Sequence, residues 1–203
     1  MRPEVYANKN LRKALEFNPS PKSVHDTRVA LRKYLTLALT LSRLYYSPHC
    51  IYYSKEAVKI LGKIRDSDIS QCMPIDREHM VSEVTKILPR VSSCYLPKLY
   101  GSRLVVFEKI RDYYGSLKVE DFHEFRKKVR ALYYLVESVG ENAGSLKEVS
   151  KKLGDMRDEY LKESCNSPTS RKLSYDPSLV EEVKAITRQV IMRSEFDHLK
   201  VFE

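Results

Sequence analysis

Val24-His25-Asp26-Thr27-Arg28-Val29-Ala30-Leu31-Arg32 and Phe122-His123-Glu124-Phe125-Arg126-Lys127-Lys128-Val129-Arg130 both read apolar, His, acid, then Arg three and seven places after the histidine. On a helix turning about 100° per residue, Arg28 and Arg32 fall within roughly 60° of His25, and Arg43 returns to the same azimuth. Arg126, Lys127 and Arg130 group with His123 in the same way, opposite the apolar side of Phe125, Val129, Leu132, Val136 and Val139. A guanidinium forks onto two phosphate oxygens and a lysine adds a mobile point charge, so these residue types suit an anion. Arg32 lies one turn beyond Arg28, a rise of about 6 Å, which lets successive arginines meet successive phosphates of an extended chain. A histidine beside such a polyanion gains a proton readily, so binding is expected to strengthen as pH falls. Each histidine also has a plain structural reading, as a residue at a helix start bonded to the backbone.

An ordinary solvated helix face mixes signs through acid and base pairs a turn apart. Both of these stripes lack acids, because Asp26 and Glu124 are expected to turn away from them. A second shared motif follows each stripe, Leu61-Gly62-Lys63-Ile64-Arg65-Asp66 and then Leu153-Gly154-Asp155-Met156-Arg157-Asp158. Two motifs in the same order at similar separation point to an internal duplication. Gly inside a helix costs about 1 kcal/mol relative to Ala, so Gly62 and Gly154 are expected to allow close packing against a neighbouring helix. Asp66 and Asp158 are placed to pair with the stripe arginines, and Arg65 and Arg157 to reach the ligand.

These residues need long helices, and the rest of the chain supplies them. It has six glycines in 203 residues, no Asn-Gly or Asp-Gly turn, and apolar spacings of three and four, so an all-α protein without sheet is expected. Helices are predicted over 23–46, opened by a capping box of Ser23 with Asp26, and over 51–67, 77–89, 97–115 and 121–139. Two more are predicted over 145–165, with Ser145 and Glu148 as a capping box, and over 177–196 behind an Asp176 cap. The core face of the first is Ala30, Leu31, Tyr34, Leu37, Ala38 and Leu41. That of the second is Ala57, Ile60, Leu61 and Ile64. The arrangement implied is one domain, 1–203, made of two related helical-bundle halves, 21–118 and 119–203, around a central basic groove.

Lys and Arg number 36 against 27 acids, a formal charge of +9, which favours anionic partners. The four cysteines, Cys50, Cys72, Cys94 and Cys165, lie far apart and are expected to be reduced, mostly buried thiols. The most apolar run, 35–46, is short and carries Arg43, and the N-terminus lacks the apolar core of a signal peptide. A cytoplasmic protein with no membrane partner is expected.

The doubled motif resembles that of the CHAD family, the conserved histidine α-helical domain, whose pattern is His-x-x-Arg-x-x-x-Lys/Arg followed by Leu-Gly-x-x-Arg-Asp in both halves. The matching positions are His25, Arg28, Arg32, Leu61, Gly62, Arg65 and Asp66, then His123, Arg126, Lys127, Arg130, Leu153, Gly154, Arg157 and Asp158, and the likeness spans about 21–199. Leu35 and Tyr133 stand where the family often has a further arginine, while Tyr134 agrees with a frequent tyrosine. The resemblance implies two pseudo-symmetric bundles around a basic groove that binds inorganic polyphosphate, and association with polyphosphate granules. Family members are often joined to a triphosphate-tunnel domain with a Glu-x-Glu-x-Lys motif. The absence of that motif implies a stand-alone, non-catalytic binder needing no metal or cofactor.

Two other functions rank lower. A nucleic acid would satisfy the same charges, but aromatics are not interleaved with the stripe and no DNA or RNA motif is present. A metal-dependent phosphohydrolase is suggested by the His25-Asp26 dipeptide, yet needs further ligands that the scattered His49, His79, His123 and His198 do not promise.

Overall fold

Pro3 opens the first helix, α1 (Pro3–Leu15), which the apolar spacing of the sequence does not announce. Its buried face is Tyr6, Ala7, Leu11 and Ala14, and it includes the carboxylate of Glu4, only 2% exposed. Glu4 is tolerated there because the Leu99 amide (3.2 Å) and the Ser102 hydroxyl (2.8 Å) donate to it and Arg2 pairs with it at 2.5 Å. A buried charge needs such partners. The structure, a computed structural model, describes residues 1–70, 72, 74–166 and 173–199.

The remaining helices are α2 (Pro21–Thr40), α3 (Pro48–Ser70), α4 (Arg77–Ile87), α5 (Ser102–Ser116), α6 (Phe122–Ser138), α7 (Gly144–Asn166) and α8 (Ser178–Leu199). No strand occurs among the described residues, and the protein is all-α. Ser20, not Ser23, caps α2, accepting from the Ser23 amide at 3.2 Å with Pro21 in the first turn. Ser23 instead accepts from the Asn18 amide. Asn142, not Ser145, serves the start of α7, accepting from the Gly144 amide. Asp176 acts as the sequence suggests at the start of α8, and Asp121 serves the start of α6 in the same way. Helix α5 begins at Ser102, later than predicted, after Gly101 takes a left-handed φ of 78° that glycine adopts without strain.

All six residues predicted for the core face of α2 are buried, as are Ala57, Leu61 and Ile64 on α3, with Ile60 partly covered. Helix α2 is flanked by α1 and α3 and also touches α6, while α3 meets α7 and α6 meets α7. One contiguous apolar core joins elements from both ends of the chain, so the packing is that of a single helical bundle.

The cysteines correct the expectation of free thiols. Cys50 is bonded to Cys94 and Cys72 to Cys165, across 44 and 93 residues. Spacings this wide carry no pairing signal. The second bridge ties the chain just beyond α3 to the last turn of α7. Bridges of this kind persist in oxidising compartments and inside cells of hyperthermophiles. Each closes a loop long enough to stabilise by about 4 kcal/mol through chain entropy. Replacing Cys50 and Cys94 together by serine is therefore expected to lower Tm by about 10 °C, read by calorimetry. No helix among the described residues is long and apolar enough to cross a membrane.

Candidate anion-binding site

Helices α2, α6 and α7, with one residue of α3, enclose a cavity of about 290 Å³. Helix α2 contributes His25, Arg28 and Arg32 at the spacing of one helix face, and α6 contributes Arg126, Arg130, Tyr133 and Tyr134. Arg65 enters from α3, and α7 lines the opposite wall with Lys147, Ser150, Lys151, Gly154 and two carboxylates, Asp155 and Asp158. The second and third turns of α2 and α6 thus face one cavity.

Four of these guanidiniums have no carboxylate paired to them. Arg28, Arg32, Arg126 and Arg130 make no ion pair or hydrogen bond among the described residues, and the Arg28 Nε is buried without a partner. Burial, reinforced by Arg28 and Arg130, pushes Arg32 down to about 8. Burial likewise pushes Arg28 and Arg126 down to about 10, the former against the pull of Asp66, and lowers Arg130. A guanidinium keeps its proton in a protein, so these depressions express burial first and then the crowding of like charges, and an anion in the cavity would relieve the charge repulsion.

Arg65 and Arg157 are neutralised differently from expectation. Arg65 bonds Asp158 at 2.7 Å, and Arg157 grips Asp66 with both nitrogens, at 2.7 and 2.5 Å. The two acids therefore cross-brace α3 to α7 and do not pair with the stripe arginines. Burial would raise Asp66, but Arg157 outweighs it and holds the carboxyl below its ordinary value. Arg157 is raised, first by that hydrogen bond. Arg65 still lines the cavity, whereas Arg157 is not among its walls.

Three other predicted ligands lie elsewhere. Arg43 sits in a 3-10 turn, Leu41–Arg43, after α2 has ended, so the helical azimuth does not extend to it. It is exposed and faces Glu108 at 3.5 Å, in a separate hollow of about 320 Å³ where Lys109, Glu108 and Asp112 mix signs. Lys127 is exposed and paired with Glu124 at 2.6 Å, one turn before it, so Glu124 is not turned away from the stripe's lysine. His123 is exposed at the start of α6, short of the cavity, its ring against Phe122.

His25 does line the cavity, and its Nδ1 is buried without a partner. Burial, then the nearby Arg65, lowers its pKa. Asp26 turns instead to a different hollow with Lys13 and Lys22, which separates the two members of the His-Asp dipeptide.

The two motif glycines differ. A Cβ on Gly62 would come within 3.2 Å of the Arg28 guanidinium, whereas one on Gly154 would meet nothing within 4 Å. Close packing explains Gly62, against a side chain of α2. It does not explain Gly154, which opens onto the cavity. Gly154→Ala is therefore expected to stabilise the free protein by about 0.5–1 kcal/mol through helix propensity, while its methyl narrows the cavity and weakens anion binding. Urea denaturation and a binding titration should move in opposite directions.

Lys147 and Lys151 were outside the pattern led by histidine. Their signal is nonetheless in the sequence, as positions four apart on the α7 face that continues through Gly154 to Asp158.

The fold and the cavity define an all-α protein with a cavity into which several unpaired arginines face. No family model and no curated protein matches the chain. Among solved structures it is similar to the crystal structure of the CHAD domain from the plant Ricinus communis, at 12% identity and a TM-score of 0.49, over 92% of this chain and 82% of that one. At that identity and score, the site of this chain rests on its own residues.

Proposed function

We propose that this protein is a non-catalytic binding module for inorganic polyphosphate. The observation that carries the reading is the set of four guanidiniums, Arg28, Arg32, Arg126 and Arg130, facing one cavity with no carboxylate paired to any of them. Leaving such charges unpaired in a half-buried site is costly, and a ligand with closely spaced phosphoryl groups offers every guanidinium a charge-assisted bond. The doubled motif, through its resemblance to the CHAD family, supports the same ligand.

The cavity also favours polyphosphate over nucleic acid. Bases bind non-specifically by stacking on open aromatic faces. Tyr134 is only 4% exposed, and the Tyr133 ring is engaged by Lys33 at 5.2 Å. A volume of about 290 Å³ lies at the small end of small-ligand sites, which suits phosphoryl groups better than nucleotides with their bases. Calorimetric titration with polyphosphate should show exothermic binding that weakens steeply with salt. Single-stranded and duplex nucleic acid at equal phosphate concentration should fail to compete; displacement by either would overturn the reading in favour of a nucleic-acid binder.

A further inference from the structure

Resting on the polyphosphate reading, we infer that the cavity grips the end of a phosphate chain, so that the protein caps polyphosphate termini and does not coat the polymer. The positive track is short. From His25 to Arg32 is about 10 Å of helix, and from Arg126 to Tyr134 about 12 Å.

On the α2 and α6 walls neither direction continues it. One turn past Arg130, the wall becomes Tyr133 and Tyr134, and behind them Lys33 is spent on Glu137 at 2.6 Å, whose carboxylate also accepts from the Tyr6 hydroxyl. That lysine lies 5.2–5.6 Å from the Tyr133, Tyr6 and Tyr134 ring centres, held inside the protein. At the opposite end, Arg65 and Arg157 are committed to Asp158 and Asp66. An internal segment would have to enter and leave this one short cavity as two charged arms, and outside the arginine cluster the wall offers unpaired cations on α7 alone, Lys147 and Lys151, enough to receive one arm and not two.

The buried donors favour a terminus as well. Arg28 is 9% exposed with an unpartnered Nε, and the His25 Nδ1 beside it is also unpartnered. A terminal phosphoryl group presents three acceptor oxygens, one more than a group inside the chain, and it carries more charge. It is the part of the polymer best able to satisfy both donors while Arg32 and Arg130 take the next groups.

The test is a titration of the intact protein with tripolyphosphate, with polyphosphate of one defined length, with polyphosphate of twice that length, and with polymer whose two terminal groups are capped as phosphoramidates. One protein per free end is expected for both lengths, with tripolyphosphate binding as tightly as either polymer and end-capping weakening binding by about tenfold or more. If the number of proteins bound doubles with chain length, or if capping changes nothing, the end-gripping inference falls while polyphosphate binding stands. If no phosphate chain binds at all, the function proposed above falls with it.

Discussion

Arg28→Glu combined with Arg126→Glu is expected to weaken polyphosphate binding by at least about a thousandfold, while leaving the helical circular dichroism unchanged. Each arginine donates charge-assisted bonds that contribute roughly 1.5–3 kcal/mol, and reversal adds repulsion to their loss, so the pair exceeds the about 4 kcal/mol that a thousandfold requires. A companion substitution separates a ligand role from a structural one. Arg32 has no partner to lose and is pushed down by burial and by its neighbours Arg28 and Arg130, so Arg32→Met should stabilise the free protein while weakening binding. Arg157→Met should do the opposite to stability, because it strands the half-buried Asp66 that it now grips, and breaking such a pair costs about 3–5 kcal/mol. If Arg32→Met destabilised the protein as Arg157→Met does, the stripe would be part of the scaffold and the site would lose its basis.

The contrast between those arginines shows what the sequence makes legible. Helical azimuth is readable wherever a helix runs unbroken. His25, Arg28 and Arg32 share a face as their spacing requires, and the inward residues of α2 are buried where the apolar spacing puts them. Depth along the axis is not readable. His123 has the azimuth of Arg126 and Arg130 but stands at the helix start, outside the cavity, while His25 at the matching place in its own motif lies within. Arg43 fails for a related reason, since α2 ends at Thr40 and the angular count does not survive the change to a 3-10 turn.

Partners brought together only by folding are the other part that spacing cannot give. Glu4 makes α1 look unsuited to a core until Leu99 and Ser102 arrive to bond it. The exchange of partners between Arg65–Asp158 and Arg157–Asp66 joins motifs more than ninety residues apart, and the same is true of Cys72 with Cys165. Lys147 and Lys151 are a different case. They sit at helical spacing on α7, so their shared face is visible in the sequence, but the cavity they complete is defined by what α2 and α6 place opposite.

Saturating polyphosphate is expected to raise Tm by about 10 °C at a concentration a thousandfold above Kd, and the size of that rise should depend on pH through His25. Burial, then Arg65 on α3, holds this imidazole below its ordinary 6.5, with Arg28 acting the same way and Asp26 and Asp158 pulling against them. Between the lowered value and 6.5, the unfolded chain binds a proton that the folded, ligand-free protein refuses. The free protein therefore loses stability as pH falls through that window, and this histidine contributes no pH dependence above it. An anion in the cavity reverses the sign, because it raises the imidazole and the complex takes up the proton. Affinity should then grow as pH falls from about 8 to 6, by up to about tenfold for each unit by which the ligand raises His25. Terminal phosphates titrate near pH 6 as well, so the histidine's share is the part of the slope removed by His25→Ala. His123→Ala should leave the slope intact, since that ring is outside the cavity. Equal slopes in the wild type and His25→Ala would mean that the proton goes to the ligand, and that His25 holds its place in the wall only as a neutral donor.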